Sequence, residues 1–220
     1  MMSQFPVTAR NRVRRLPKRG HYDREIVHAI IDEALVCHVA FSMEGVPTVI
    51  PTLHARRGDS LLLHGSSKSR LLRHVGEGHP VSVAMTILDG IVLARSVFHH
   101  SMNYRSVVIH GTGQLLASED DKRSALEAFA EHIAGGRWAD ARKPSRKELK
   151  ATTVVSIPID LAAAKIRTGP PLDEDEDYAL PIWAGVLPLS LKAGKPEADP
   201  RLGRDIEVPP YIRRYRRGGS

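Results

Sequence analysis

The stretch Ser96–Gly111 constrains the fold of this chain more than any other. It reads Ser-Val-Phe-His-His-Ser-Met-Asn-Tyr-Arg-Ser-Val-Val-Ile-His-Gly, an apolar end, a polar knot and then a strand-like run. Strands alternate faces with period 2, so Tyr104, Ser106, Val108 and His110 share one face while Arg105, Val107 and Ile109 share the other. Arg105 and Ser106 therefore serve different surfaces. Hydroxyl, amide and guanidinium donors on a strand beside a loop suit a phosphate or the polar edge of a planar ring.

The rest of the chain supplies a β framework for that stretch. Val36–Ser42 and Val46–Leu53 read as strands around Glu44-Gly45, the second placed at an edge or a bulge by Pro47 and Pro51. Ser60–His64 is a short apolar strand. Pro80–Thr86 and Ile91–Val97 read as a pair turned at Asp89-Gly90, and Thr152–Ile159 and Ala163–Thr168 close the series. Helices punctuate it. Arg24–Leu35 carries apolar residues at helical spacing behind Asp23 as N-cap; Ser118-x-x-Asp121 opens a second helix that Gly135-Gly136 ends, and Ser145-x-x-Glu148 is the capping box of a third. The class is mainly β, an α+β chain.

Between Ser60–His64 and a short helix at Arg70–Val75 lies Gly65-Ser66-Ser67-Lys68-Ser69-Arg70. Serines, cations and free backbone amides at a strand-to-helix junction form the kind of nest that holds a phosphate, and the spacing is not that of a triphosphate-hydrolysing loop. A mononucleotide fits better. The competing reading is a Ser-capped helix with solvated charges.

Charge is needed only to weigh nucleic acid as a partner. The net +7 divides into +6 over residues 1–24, +4 over residues 211–220 and −3 over the body. Basic ends around an acidic body read as solvated tails, or as arms that grip a second subunit, and argue against a recognition face for nucleic acid. The single cysteine, Cys37, excludes an internal disulfide and any Cys-x-x-Cys zinc pair, which fits a reducing cytoplasm. No apolar segment reaches the roughly 20 residues that span a bilayer, and the arginine-rich start lacks a signal peptide's apolar region. The expected organisation is a basic arm (1–21), one domain (22–189) and a Pro/Gly/Arg-rich tail (190–220) without helical or strand period. Trp183, between prolines and glycine, is expected to pack on the barrel, a second subunit or a cofactor ring.

Lys-Arg-Gly-His-Tyr-Asp (18–23), His-Gly-Ser-Ser-Lys-Ser-Arg (64–70), Asp-Gly-Ile-Val-Leu-Ala-Arg-Ser (89–96), Tyr-Arg-Ser-Val-Val-Ile-His-Gly (104–111) and Pro-Ile-Trp-Ala-Gly-Val-Leu-Pro-Leu (181–189) together resemble the pyridoxamine 5′-phosphate oxidase-like flavin-binding proteins, in the branch of the nitroimidazole-resistance proteins. The resemblance implies a homodimeric split β-barrel of six or seven strands with flanking helices, binding FMN between subunits. It puts Val49, Ile50, Pro51 and Thr52 along the ring, His64, Gly65, Ser66, Lys68, Ser69 and Arg70 at the phosphate, and Ser96, Tyr104, Arg105, Ser106 and Trp183 around the cofactor. Ser106 stands where the oxidases carry Gln. The C-terminus, Tyr211-Ile-Arg-Arg-Tyr-Arg-Arg, does not align with the Trp- and Arg-bearing end of the true oxidases, so vitamin B6 oxidation is the lesser alternative.

The function implied is passage of electrons from NADH or NADPH through flavin to a nitroaromatic or quinone. His64, His99, His100 and His110 would titrate near ~6.5 if unperturbed, and His99 or His100 is the candidate proton donor. The alternatives are a non-catalytic flavin sensor, a deazaflavin protein and a haem protein, the last because related split barrels bind haem and the chain has eleven His.

Overall fold

The computed structural model describes residues 3–203 and 205–217. In chain order its strands are β1 (Gly20–His21), β2 (Val36–Met43), β3 (Val46–Leu53), β4 (Ala55–Arg57), β5 (Ser60–Ser66), β6 (Pro80–Leu93), β7 (Ser101–Thr112), β8 (Gln114–Leu115), β9 (Thr152–Pro158), β10 (Leu161–Arg167) and β11 (Gly185–Pro188). The helices are α1 (Arg24–Glu33), α2 (Arg70–Gly76), α3 (Glu119–Ile133), α4 (Arg137–Asp140), α5 (Arg146–Ala151) and α6 (Pro210–Arg213). Two antiparallel sheets form, β1-β10-β7-β6-β2-β3 with β11 on β6, and β4-β5-β9-β8. This is the split barrel expected. Its strand number exceeds six or seven because β1, β4, β8 and β11 are only two to four residues long, too short to show a period.

The chain crosses from the large sheet to the small one at single residues. His54 joins β3 to β4 and is fully buried, its Nε2 hydrogen-bonded to Ile31 O at 2.9 Å. Gly113 joins β7 to β8, where a Cβ would stand 2.4 Å from Val75 Cγ1 and 3.0 Å from Ser156 O. Only glycine fits that corner.

Between the sheets lies the main core. Val39, Val83, Met85, Val107 and Ile109 from the large sheet meet Leu61, Leu63, Val155 and Ile157 from the small one, with α1 and α2 adding Val27, Ile30, Ile31, Leu71, Leu72 and Val75. Each fully buried aliphatic side chain contributes about 1.5–3 kcal/mol. Cys37 belongs to this core, where burial pushes its thiol up to about 12 and leaves it unreactive. A second cluster lies outside the small sheet, where Leu62, Val154 and Leu116 are roofed by Ala125 and Phe129 of α3.

Asp89-Gly90 does not turn a hairpin. β6 runs through it from Pro80 to Leu93, and the register with β7 shifts between Leu88 and Gly90. The glycine marks a bulge, and β11 passes so close that a Cβ on Gly90 would lie 2.9 Å from Val186 Cγ1. Asp23 precedes α1 without a side-chain cap; its carboxylate accepts from Gln4 instead. Ser118 caps α3, but the shorter Asp121 bonds the Ser118 hydroxyl and leaves the box incomplete, whereas Ser145 and Glu148 close theirs.

The basic ends are docked on the body. Phe5 is buried in the core, and Asn11 donates to Pro6 O and Ala162 O. At the other end Arg217 donates to the carbonyls of Asp32, Glu33, Ala34 and His132. With His54 on Ile31 O and His132 on Ala34 O, all the orphan carbonyls ending α1 are answered by side chains from distant segments. No described helix is long and apolar enough to cross a membrane.

Candidate functional site

Alternation along β7 splits the sequence-predicted residues between two surfaces. Tyr104, Ser106, Val108 and His110 face outward. Across the sheet Ser106 lies opposite Thr86 and Lys165, Val108 opposite Ala84 and Ala163, Ala84 opposite His38, and His38 opposite Pro51. Val49 and Pro51 of the edge strand β3 therefore share a face with Tyr104 and Ser106. α1 and α2 pack on the inner core and α3 on the small sheet, so no helix covers this outer face; Val49 is 60% and Val108 38% exposed, whereas Ala163 is buried and the N-terminal arm lies towards His110. None of these outward positions carries Asp or Glu.

Ile50, Thr52 and Arg105 turn the other way. Ile50 packs against the core, and Arg105 is held by Glu33 at the end of α1 and by Asp89 in the bulge, both bidentate. Hydrogen bonds from these carboxylates, Glu33 first, raise the arginine's pKa further. Its guanidinium ties α1 to the bulge with four of its five N–H donors, on the side of the sheet opposite the outer face. Proline has no N–H, so Pro47 and Pro51 mark the β3 positions whose backbone faces away from β2; Val49 shares that free edge, while the backbones of Ile50 and Thr52 point to β2.

The register Ala55 to Leu62 brings the end of β5, and the loop after it, to the Leu53 end of β3. In this loop the Ser69 hydroxyl accepts from Leu72 N and caps α2, and Ser66 Oγ accepts from Lys68 N at 3.2 Å. Gly65 passes against Leu72, whose Cδ1 would be 3.2 Å from a Cβ. Lys68 and Arg70 are exposed and join none of the ion pairs among the described residues.

His64 behaves differently from its loop. It shares the outer face of the small sheet with Leu62, its ring centroid 4.1 Å from that of Phe129. Burial lowers its pKa, and its buried Nδ1 has no partner. At neutral pH it is an uncharged imidazole with an unused ring nitrogen. His110 is also lowered, by burial and then by Arg10 of the N-terminal arm, and bonds Ser82 Oγ at 2.8 Å.

The third group sits at the tip of the β6–β7 hairpin. Ser96 Oγ accepts from Phe98 N, His100 Nδ1 lies 3.0 Å from Ser96 O, and His99 Nε2 is 3.6 Å from Glu174. Phe98 is 88% exposed. Sequence reading missed Asp173, whose side chain is wholly shielded and accepts from Arg95 N, Ser96 N and the Arg95 guanidinium. Desolvation opposes its charge, but those donors outweigh it and lower its pKa. Asp173 thus staples the acidic loop after β10 to the hairpin tip, a role its place in an acidic run concealed. Trp183 follows on this loop, 68% exposed, its ring stacked over Gly185, where a Cβ would meet Cζ2 at 2.9 Å. It does not pack into its own barrel.

The family model for pyridoxamine 5′-phosphate oxidase matches residues 23–166. The chain belongs to that family. Within the pyridoxamine 5′-phosphate oxidase fold it is similar to the flavocytochrome Anf3 of Azotobacter vinelandii, at 40% identity over 96% of this chain and 98% of that one, with a TM-score of 0.90. It is also similar to the FAD and heme binding protein of Mycobacterium smegmatis, at 38% identity over 89% and 96%, TM-score 0.85. A Bacteroides thetaiotaomicron protein described as a candidate 5-nitroimidazole antibiotic resistance protein shares the fold at 22% identity over 67% and 86%, TM-score 0.57. No curated protein sequence matches the chain.

Proposed function

We propose that this chain is a flavin-binding redox protein that acts as a homodimer in the cytoplasm. One observation carries the reading: a bare, carboxylate-free sheet face and the free edge of β3 run up to a loop whose Lys68 and Arg70 answer no carboxylate. Val49, Pro51 and Val108 would exclude water from a flat ring, the β3 edge would bond its polar rim, and the loop would take its phosphate. A flavin so held supplies hydride acceptance and one-electron transfer. The electron donor in this reading is NADH or NADPH and the acceptor a small nitroaromatic or quinone. A second copy covers the apolar remainder of the face, together with the exposed Phe98 and Trp183.

A haem is the second element, favoured over flavin alone by the two similar proteins whose descriptions name cytochrome or heme. His64 would hold the haem iron through a ring nitrogen, since burial lowers its pKa, it lies beside Phe129 and its Nδ1 has no partner. The absorption spectrum of the purified protein, with mass spectrometry of the released cofactors, tests both elements. Flavin bands with a Soret band are expected, and the released mass tells FMN from FAD or a deazaflavin. His64→Ala should remove the Soret band and keep the flavin. A colourless protein that takes up no added flavin would overturn the reading, and flavin without haem would leave only its first half. Flavin that NADH and NADPH fail to reduce in stopped flow would make the chain a sensor instead of an enzyme.

A further inference from the structure

The C-terminal segment, read from sequence as a tail without structure, closes one side of a cleft of about 690 Å³. The opposite walls are the ends of α1 and α3. Asp32, Arg56, Glu131 and His132 line it from the body, and Tyr211, Arg214, Tyr215, Arg216 and Arg217 from the segment. None of these residues belongs to the bare sheet face or to the Gly65–Arg70 loop.

The segment is fixed at both ends. The Tyr211 ring lies against Gly136, which has φ +90° and where a Cβ would sit 3.3 Å from that ring, and its hydroxyl accepts from Arg137. Arg217 is wedged between the ends of α1 and α3 by its bonds to their carbonyls. Between these anchors Arg214 and Arg216 project at the cleft.

The charges of the lining do not cancel. Asp32 is taken by a bidentate pair with Arg56, and both oxygens of Glu131 accept backbone N–H groups, from Gly136 and Trp138. Arg217 is spent on carbonyls. Arg214 and Arg216 therefore face the cleft with no carboxylate among the described residues. Guanidinium groups match phosphate oxygens in bidentate geometry, and the partly buried Tyr215 offers a flat wall for a planar ring. The volume lies within the range of small-ligand sites.

We infer that this cleft binds a nucleoside diphosphate group, its phosphates on Arg214 and Arg216 and its base against Tyr215. The site is separate from the flavin site and does not depend on that reading. Occupancy would bear directly on the segment whose Arg217 caps α1, and so on the helix that Arg105 ties to the bulge.

Calorimetric titration of ADP, and separately of inorganic pyrophosphate, into the purified holo-protein tests the inference, with cofactor absorbance followed throughout. Saturable ADP binding is expected at about 1 mM or tighter, weakened at least ~tenfold in the Arg214→Ser, Arg216→Ser double variant. Neither arginine's side chain makes a hydrogen bond or ion pair among the described residues, and the Arg214 backbone N–H keeps its bond to Pro210 O in the variant, so that variant should melt like the parent. Tyr215→Ala should weaken ADP and leave pyrophosphate alone. Four results would each overturn the inference: no ADP heat, ADP affinity unchanged in the double variant, pyrophosphate binding as tightly as ADP, or displacement of the bound cofactor by ADP.

Discussion

The two sheets of this barrel treat their outer faces in opposite ways. On the small sheet Leu62, Val154 and Leu116 lie under Ala125 and Phe129 of α3 in a dry cluster. On the large sheet the outer row of Ser82, Ala84, Thr86, Ser106 and Ala163 is small or hydroxylated, with Val49, Leu88 and Val108 exposed beside it. Both inner faces serve the same core. The contrast separates a face roofed by the chain's own helix from one that no helix covers. Small side chains free of carboxylates leave room for a flat, anionic molecule, whereas bulky aliphatic ones call for a helix.

Matched truncations break or sharpen this contrast. Phe129→Ala, on the roofed face, should cost about 3–5 kcal/mol of stability, while Val108→Ala on the bare face should change it by no more than ~0.5 kcal/mol. Equal losses in thermal melts would erase the distinction. Next in size is the loop beside the bare face. Lys68→Ala with Arg70→Ala should weaken flavin binding by about 1.5–3 kcal/mol for each charged hydrogen bond lost, without lowering the melting temperature. Unchanged flavin affinity would remove the loop from the site.

The roofed side carries a pH signature. Burial, then the charge of Arg217, then His54 hold His132 at about 4, below the ordinary imidazole value of 6.5, against the opposing Ala34 carbonyl and Asp32. The unfolded chain therefore binds the proton first as pH falls. Stability present above about 6.5 should decline through the window down to about 4, by about 1–2 kcal/mol because the ring is partly solvated. Urea melts of His132→Gln should show a flatter decline; an identical slope would exclude His132 as its source. The smallest effect belongs to Trp183. Trp183→Phe should shift stability by less than ~0.5 kcal/mol, since the ring is exposed, and should brighten bound flavin if it lies against that ring. Unaltered emission from the flavin-loaded variant would take Trp183 out of the site.

Much of the fold could be read directly. The limits of β3, the caps at Ser118 and Ser145 and the edge position enforced by Pro47 and Pro51 all follow from local chemistry. Asp89-Gly90 misled, because a glycine that frees a hairpin turn also frees a bulge, and only the passage of β11 decides between them. The site was legible where period 2 sorts residues, which is how Tyr104 and Ser106 separate from Arg105. It was illegible where a partner comes from far along the chain. Glu33 claims Arg105 across 72 residues, Asp173 reaches Ser96 across 77, and Arg217 reaches Asp32 across 185. No local pattern marks such pairings. The basic C-terminus looked like a solvated tail because the carbonyls that Arg217 answers are backbone groups, which every sequence has.

The claim that the bare face receives the flavin is tested most directly by filling it. Ser106 stands at its middle, flanked by Thr86 and Lys165, and its hydroxyl makes one bond, to Lys165 O at 3.2 Å. Ser106→Trp puts a large ring there without touching the core. Flavin content of the purified variant, from absorbance with circular dichroism as the folding control, is the measurement. The account predicts a folded protein that purifies without flavin and regains none on titration; a folded variant with full flavin occupancy would contradict it.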